Sequence, residues 1–256
     1  MANIEIHQFP CLSDNYGVLL RDSVSGMVAT IDAPNADQVD AALAQKGWKL
    51  THILTTHHHA DHTGGNLALK DRHRCTITGP RAEAAKIPGI DTQVGDGDTF
   101  KFGDVEVRVL DTPGHTLGHI SYWLPEVGVA FVGDTMFALG CGRVIEGTME
   151  MMWNSLAKLT KLPAETVIYA GHEYTAANAK FALTIEPENG ALQQRAKEID
   201  AMRAAGKPTL PTRLDLELRT NPFLRVTSTA IRKRLGLQGA TDGQVFAEIR
   251  ERKNRS

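Results

Sequence analysis

Four side chains able to hold a divalent cation, His57, His59, Asp61 and His62, fall within six residues of this chain, and no other feature limits its fold as tightly. Imidazole and carboxylate are the ligands that hold zinc, and they also serve manganese and iron. The run follows the apolar stretch His52-Ile53-Leu54 and precedes Thr63-Gly64-Gly65-Asn66, which reads as the opening of a helix. Alternate side chains of an extended segment face the same way. His57, His59 and Asp61 are therefore expected on one side and His58 on the other, with His62 joining the first group as the chain turns into the helix. A single histidine is more often packed or solvated than a ligand. Three on one side of an H-x-H-x-D-H run reverse that expectation, so the chain must fold around a metal site.

Further ligand-type residues recur in one context. His115 follows an apolar run at 105–110 through Asp111-Thr112-Pro113-Gly114, Asp134 follows 129–132 through Gly133, and His172 follows 167–170 through Gly171. Each lies just past the C-terminal end of a predicted strand, where loops at one edge of a sheet framework build sites. Seven ligands exceed what one tetrahedral zinc takes. They suit two cations ~3.5–4 Å apart with a bridging water. The expected assignment is His57, His59 and His115 on the first cation, Asp61, His62 and His172 on the second, and Asp134 as the bridge. A water shared by two cations ionises near pH ~7, and Asp61 and Asp134 are expected to hold the resulting hydroxide. Zinc is the expected metal, with iron or manganese able to use the same ligands.

Around this cluster the first two-thirds of the chain alternates short apolar runs with helix-like stretches. Strands are predicted at 4–9, 16–21, 28–32, 52–55, 76–78, 105–110, 120–124, 129–132 and 167–170, and helices near 35–46, 64–72, 80–86, 149–161 and 175–183. Neighbouring early strands imply antiparallel pairing, and later strand–helix alternation implies α/β units. Two sheets with helices outside accommodate both. Beyond residue 172 the pattern becomes helical, with helices expected over 192–205, 230–235 and 245–253, the last capped by Thr241 or Asp242. Residues 208–222 read as irregular. The expected organisation is a catalytic α/β domain over residues 1–172 and a smaller helical one over 173–256.

The ligand run, Pro113-Gly114-His115-Thr116-Leu117-Gly118-His119, Gly133-Asp134-Thr135 and Gly171-His172-Glu173-Tyr174-Thr175 resemble the metallo-β-lactamase superfamily. More narrowly, Gly140-Cys141-Gly142-Arg143, Glu146-Gly147-Thr148, Asn221-Pro222-Phe223-Leu224-Arg225 and the basic helical C-terminus resemble the hydroxyacylglutathione hydrolase family, also known as glyoxalase II. The resemblance covers nearly the whole chain. It implies an αββα sandwich and hydrolysis of S-D-lactoylglutathione to D-lactate and glutathione, the second step of methylglyoxal detoxification. It also implies that Arg143, Tyr174, Arg250 and Lys253 hold glutathione. Some family members place a Tyr two positions after the basic residue, where this chain has Ile145, which donates no hydrogen bond.

The chemistry suits such a substrate. A thiolate leaving group, with a conjugate-acid pKa of ~8.5, departs without a strong general acid. From Arg219 onward nine basic residues face three acidic ones, although the whole chain carries a net charge of only −2. Such a tail complements the two carboxylates of a glutathione conjugate. His58 and His119 are expected to support ligands through hydrogen bonds or packing, and Asp32 to do the same or to cap a loop. His7, His52 and His73 read as structural.

Other functions remain less well matched. A glutathione persulfide dioxygenase on the same scaffold would use one iron on the His57, His59 and His115 trio. A nuclease would need a long basic stripe, which this chain lacks, and a non-catalytic descendant would not keep all seven ligands. The expected partner is a small-molecule thioester, with no nucleic acid or membrane and a monomeric chain. No apolar run approaches the ~20 residues of a membrane span. Residues 1–7 lack the basic flank and apolar core of a signal peptide, and Cys11, Cys75 and Cys141 form no CxxC pair. A reducing cytoplasmic setting with structural thiols is expected.

Overall fold

The computed structural model describes residues 3–256; Met1 and Ala2, part of the opening read above for a leader, lie outside the described residues. The chain forms two compact units. One comprises the described residues up to Asp111 together with Thr116–Gly133, and the other Thr112–His115 with Asp134–Ser256.

The first unit opens with strands β1 (Ile4–Cys11), β2 (Asn15–Asp22) and β3 (Val28–Ile31), joined antiparallel by short turns. Helix α1 (Ala36–Lys46) then carries the chain to β4 (His52–Leu54), parallel to β3. Helices α2 (Ala60–Thr63) and α3 (Asn66–His73) lead to β5 (Thr76–Pro80), and a 3-10 turn over Arg81–Lys86 leads to β6 (Thr92–Val94), both again parallel. The switch to parallel pairing falls where a helix first intervenes, because only a crossover connection returns a strand in the same direction. The six strands lie in sequence order. A second set, β7 (Thr99–Phe102), β8 (Val105–Asp111), β9 (Ile120–Leu124) and β10 (Val129–Phe131), forms an antiparallel meander. Val39, Leu43 and Leu69 from α1 and α3 pack with Leu19, Ile53 and Ile77 of the six-stranded sheet in one buried cluster that also holds Cys11 and Cys75. Each such aliphatic side chain contributes about 1.5–3 kcal/mol when fully buried.

The second unit contains a hairpin of β11 (Met136–Phe137) and β12 (Gly140–Cys141), followed by α4 (Met149–Leu159), β13 (Val167–Tyr169), α5 (Thr175–Ile185) and α6 (Gly190–Ala204). Then come β14 (Thr212–Arg213), antiparallel to β13, α7 (Leu214–Thr220), α8 (Thr229–Leu235) and α9 (Asp242–Asn254). Helices α5 and α6 share a core of Ala179, Ala182, Leu192, Ala196 and Ile199 with Leu139 of the hairpin. Thr241, rather than Asp242, caps α9 in a reciprocal capping box with Gln244.

Three expectations need correction. The helix start predicted at residue 64 comes at Ala60, with a break before α3. Residues 208–222, read as irregular, contain β14 and α7. The buried face of α7 presents Leu214, Glu217 and Thr220, so two of its three inward positions are polar and the apolar period vanishes. Strands β6 and β7 went unpredicted because each buries a single residue, Val94 in one and Phe102 in the other, and so shows no apolar run.

Candidate metal centre

Every ligand-type residue follows a strand by a short turn: His57 to His62 after β4, His115 after β8, Asp134 after β10 and His172 after β13. Each of the seven is also a member of a group of His and Asp side chains close enough to hold a cation.

In the first unit His57 is fully buried, with its Nδ1 3.0 Å from the Thr56 hydroxyl and its Nε2 3.2 Å from His59 Nδ1. His62, also buried, has Nδ1 2.7 Å from Asp32 Oδ2. That carboxylate accepts from the Thr56 backbone N–H at 2.7 Å as well. A carboxylate oxygen can only accept here, so Nδ1 of His62 carries the proton and Nε2 keeps its lone pair. Asp61 differs from expectation. It lies in the first turn of α2 rather than on an extended continuation of the His57–His59 segment. Its Oδ2 nevertheless lies 3.7 Å from His62 Nε2, and the Asn15 amide steadies it by donating to Oδ2 and to the Asp61 carbonyl, both at 3.2 Å.

Neighbouring residues brace this half. Glu83 is buried and accepts from His58 twice, from the backbone N–H at 3.0 Å and from Nδ1 at 2.8 Å, while its other oxygen accepts from the Gly118 N–H at 2.7 Å. One carboxylate thus ties the histidine run to the Gly118 loop. The Tyr122 hydroxyl donates to the Thr55 carbonyl at 2.8 Å. His119 stacks on His57 with centroids 4.8 Å apart, which gives it the packing role expected. Gly133 takes a positive φ of 46°, and a Cβ there would lie 2.6 Å from both His119 Nε2 and Thr56 Oγ1. Only glycine fits.

In the second unit Asp134 Oδ2 lies 3.4 Å from His115 Nε2 and 3.3 Å from His172 Nε2. His115 Nδ1 is 2.9 Å from the Arg143 carbonyl, which fixes its tautomer as Asp32 fixes that of His62. His172 stacks flat on Tyr174, with centroids 4.8 Å apart and planes at 4°.

The four residues expected to hold glutathione all lie in this unit, but not in equal states. Arg143 and Tyr174 are exposed. Arg250 is buried, donates to the Cys141 carbonyl at 3.0 Å and lies over the Phe223 ring. Lys253 reaches the Ala177 carbonyl at 3.4 Å, and burial followed by the nearby Arg250 charge lowers its pKa. Burial pushes the Cys141 thiol up to about 11, in keeping with an inert structural thiol. Ile145 is exposed.

The basic tail is less bare than its composition suggests, since Arg225, Arg232, Arg234 and Arg252 pair with Glu186, Asp242, Glu188 and Glu248. The remaining histidines are placed as structural residues. His73 bonds Asp40, His52 bonds Thr51 and packs edge-on to Phe102, and His7 stacks on Phe9. Glu83 and Asn15 escaped the sequence reading because nothing local marks a lone acid or amide as the brace of a distant loop.

Residues 29–172 match the metallo-beta-lactamase superfamily, and residues 173–256 match the hydroxyacylglutathione hydrolase C-terminus. The chain is 57% identical to the hydroxyacylglutathione hydrolase of Brucella anthropi, covering 98% of this chain and 96% of that protein. With the protein of the same name from Brucella ovis the identity is 58%, over 98% of each. This chain belongs to the hydroxyacylglutathione hydrolase family. Its fold is that of the metallo-β-lactamases, α/β with a helical C-terminal region. The hydrolase chain also superposes on the crystal structure of ETHE1 from Myxococcus xanthus with a TM-score of 0.71 at 29% identity, covering 98% of this chain and 91% of that one. Among the described residues of this family member, no helix is long and apolar enough to cross a membrane.

Proposed function

We propose that the protein hydrolyses S-D-lactoylglutathione and related 2-hydroxyacylglutathione thioesters to the hydroxy acid and glutathione, as the second step of methylglyoxal detoxification. Membership of the hydrolase family supports the reaction class. The observation that carries the chemistry is the spacing of donor atoms: 3.2 Å for His57–His59, 3.7 Å for Asp61–His62, 3.4 Å for His115–Asp134 and 3.3 Å for His172–Asp134. Ligands ~2.0–2.1 Å from one tetrahedral ion stand about 3.4 Å from each other. These pairs therefore have the separation of atoms that share a cation.

On this basis His57, His59 and His115 are assigned to one divalent cation, Asp61, His62 and His172 to the other, and Asp134 to both. The near-equal distances from Asp134 Oδ2 to His115 and His172 support the shared role. Zinc suits the imidazole and carboxylate set, and iron or manganese would use the same atoms. When bound, the pair of cations lowers the pKa of a shared water to near ~7 and polarises the thioester carbonyl.

The chain's own residues do the rest. Asp32 and the Arg143 carbonyl hold the protons of His62 and His115 on Nδ1, which makes Nε2 of each ring the nitrogen that would face a cation. Asn15 holds the Asp61 carboxylate, which with Asp134 accepts the hydrogen bond of the attacking water. Arg143, Tyr174 and Lys253 offer a guanidinium, a phenol and an ammonium to the carboxylates and amides of glutathione, and Arg250, engaged with the Cys141 carbonyl, completes the set. The leaving thiolate needs no proton donor. The division into a catalytic domain over residues 1–172 and a helical one over 173–256 that contributes to glutathione binding, a monomeric state and a cytoplasmic location belong to the same proposal.

A glutathione persulfide dioxygenase is not favoured, since the two Brucella relatives, at 57% and 58% identity over 98% of this chain, are hydrolases by name. The test is hydrolysis of S-D-lactoylglutathione with metal analysis of the same sample. Two cations per chain, thioester cleavage and no oxygen uptake are expected. A fully metallated protein that cleaves no glutathione thioester overturns the proposal.

A further inference from the structure

Asn221-Pro222-Phe223-Leu224-Arg225 is a distinctive run of this chain, yet none of its residues is assigned above to a cation or a substrate. Asn221 is fully buried, and its amide donates to the Phe137 carbonyl at 3.3 Å and the Gly140 carbonyl at 3.0 Å, on either side of the β11–β12 turn. It also donates to Glu217 Oε2 at 3.1 Å. That oxygen accepts from the Leu139 N–H at 2.8 Å, and the other takes the Thr212 hydroxyl at 2.7 Å and the Arg195 guanidinium. Asn178 donates to a third carbonyl of the turn, that of Ala138, at 3.1 Å. It can approach because residue 140 is glycine, where a Cβ would lie 2.4 Å from its amide nitrogen. Leu139 is held at φ 57°, a conformation a leucine rarely adopts without such restraint. Every main-chain polar group named at this turn is therefore gripped by a side chain from α5 or α7 or the residue after it.

The turn has a functional address at each end. Asp134 lies two residues before β11. Two residues after β12, the Arg143 carbonyl meets His115 Nδ1 at 2.9 Å. The Gly142 N–H donates to the Thr135 carbonyl at 3.2 Å and joins these two ends. We propose that Asn221 and Glu217 are positioning residues for the hydrolytic site: by clamping the β11–β12 turn they set the Arg143 carbonyl that orients His115 and the backbone that carries Asp134. The proposal rests on the assignment of His115 and Asp134 as cation ligands.

Three variants test it, Asn221→Ala, the milder Asn178→Ala and Glu217→Gln. Two readouts separate positioning from plain stability: the Nδ1 proton signal of His115 in metal-free protein labelled with 15N-histidine, and the zinc dissociation constant from chelator competition. Asn221→Ala should lose or broaden the His115 signal and bind zinc about tenfold more weakly. Its kcat should fall, while KM for a glutathione thioester changes by no more than about twofold. Asn178→Ala should move both readouts the same way by less. A folded Asn221→Ala protein with the parent's His115 signal and zinc affinity overturns the proposal, even if its melting temperature drops. Should Asn221→Ala fail to fold, Asn178→Ala and Glu217→Gln decide on the same readouts, and unchanged values in both overturn it. If the parent cleaves no glutathione thioester but Asn221→Ala still loses the signal and the affinity, the proposed reaction fails and the positioning role stands.

Discussion

Nδ1 of His62 lies 2.7 Å from the carboxylate of Asp32, a residue held at a positive φ of 56° at the end of β3. The same carboxylate takes the Thr56 N–H, so one side chain sets both the start of the ligand run and the tautomer of its last histidine. Removing such a partner typically weakens metal binding ten- to a hundredfold, by about that range. Asp32→Ala should therefore weaken binding of one cation by that amount, read by chelator competition. Equal affinity in parent and variant would remove Asp32 from the site.

Asp134→Ala should lower metal content and activity together, because both cations lose a ligand. Asp134→Asn keeps one coordinating oxygen without the charge and should be intermediate in metal content. Two metals per chain and normal turnover in Asp134→Ala would refute its shared role.

The two C-terminal cations should behave differently when replaced. Lys253→Ala should raise KM for glutathione thioesters alone, because loss of one charge-assisted hydrogen bond costs about 1.5–3 kcal/mol, or ten- to a hundredfold in kcat/KM. Simple thioesters lacking the tripeptide should be hydrolysed as before, with metal content intact. Arg250→Ala should also slow simple thioesters, because its guanidinium holds the Cys141 carbonyl next to the Arg143 segment. Equal losses on both substrates in Lys253→Ala would point to docking of α9 rather than to substrate binding.

Acid stability should depend on Glu186. Burial alone would raise its pKa, but hydrogen bonds from Arg225, Asn189 and Ser228 outweigh it and hold the carboxyl below its ordinary 4.5. A depressed folded-state pKa stabilises the fold above the unfolded value, and that stability is lost as pH falls through the folded value. The parent should thus lose more melting temperature than Glu186→Gln on acidification below pH 4.5. Parallel acid profiles would show that the Arg225–Glu186 pair adds nothing.

Much of the candidate site can be read from the sequence because the residues proposed as ligands are polar and placed at the ends of apolar strands, where the two patterns contrast. His115, Asp134 and His172 stand out for that reason. The braces do not. Glu83 lies on a 3-10 turn remote in sequence from the loops it joins, and Asn15 opens a strand with no mark of its contact with Asp61. Glu217 goes further: as a buried acid it erases the apolar period of its own helix, so the residue hides both itself and α7. The state of Arg250 is equally invisible, because sequence shows a positive charge but not the carbonyl that engages it.

Gly133 has a consequence for how this gene tolerates change. It has no side chain to offer a cation or a substrate, yet its backbone angle and the two atoms 2.6 Å from the missing Cβ leave no room for another side chain. In a saturation scan selected for activity, position 133 should be as intolerant as the ligands themselves. A ranking of sites by mutational sensitivity would then place an inert residue among the reactive ones, and the two can be told apart only by asking what each atom touches.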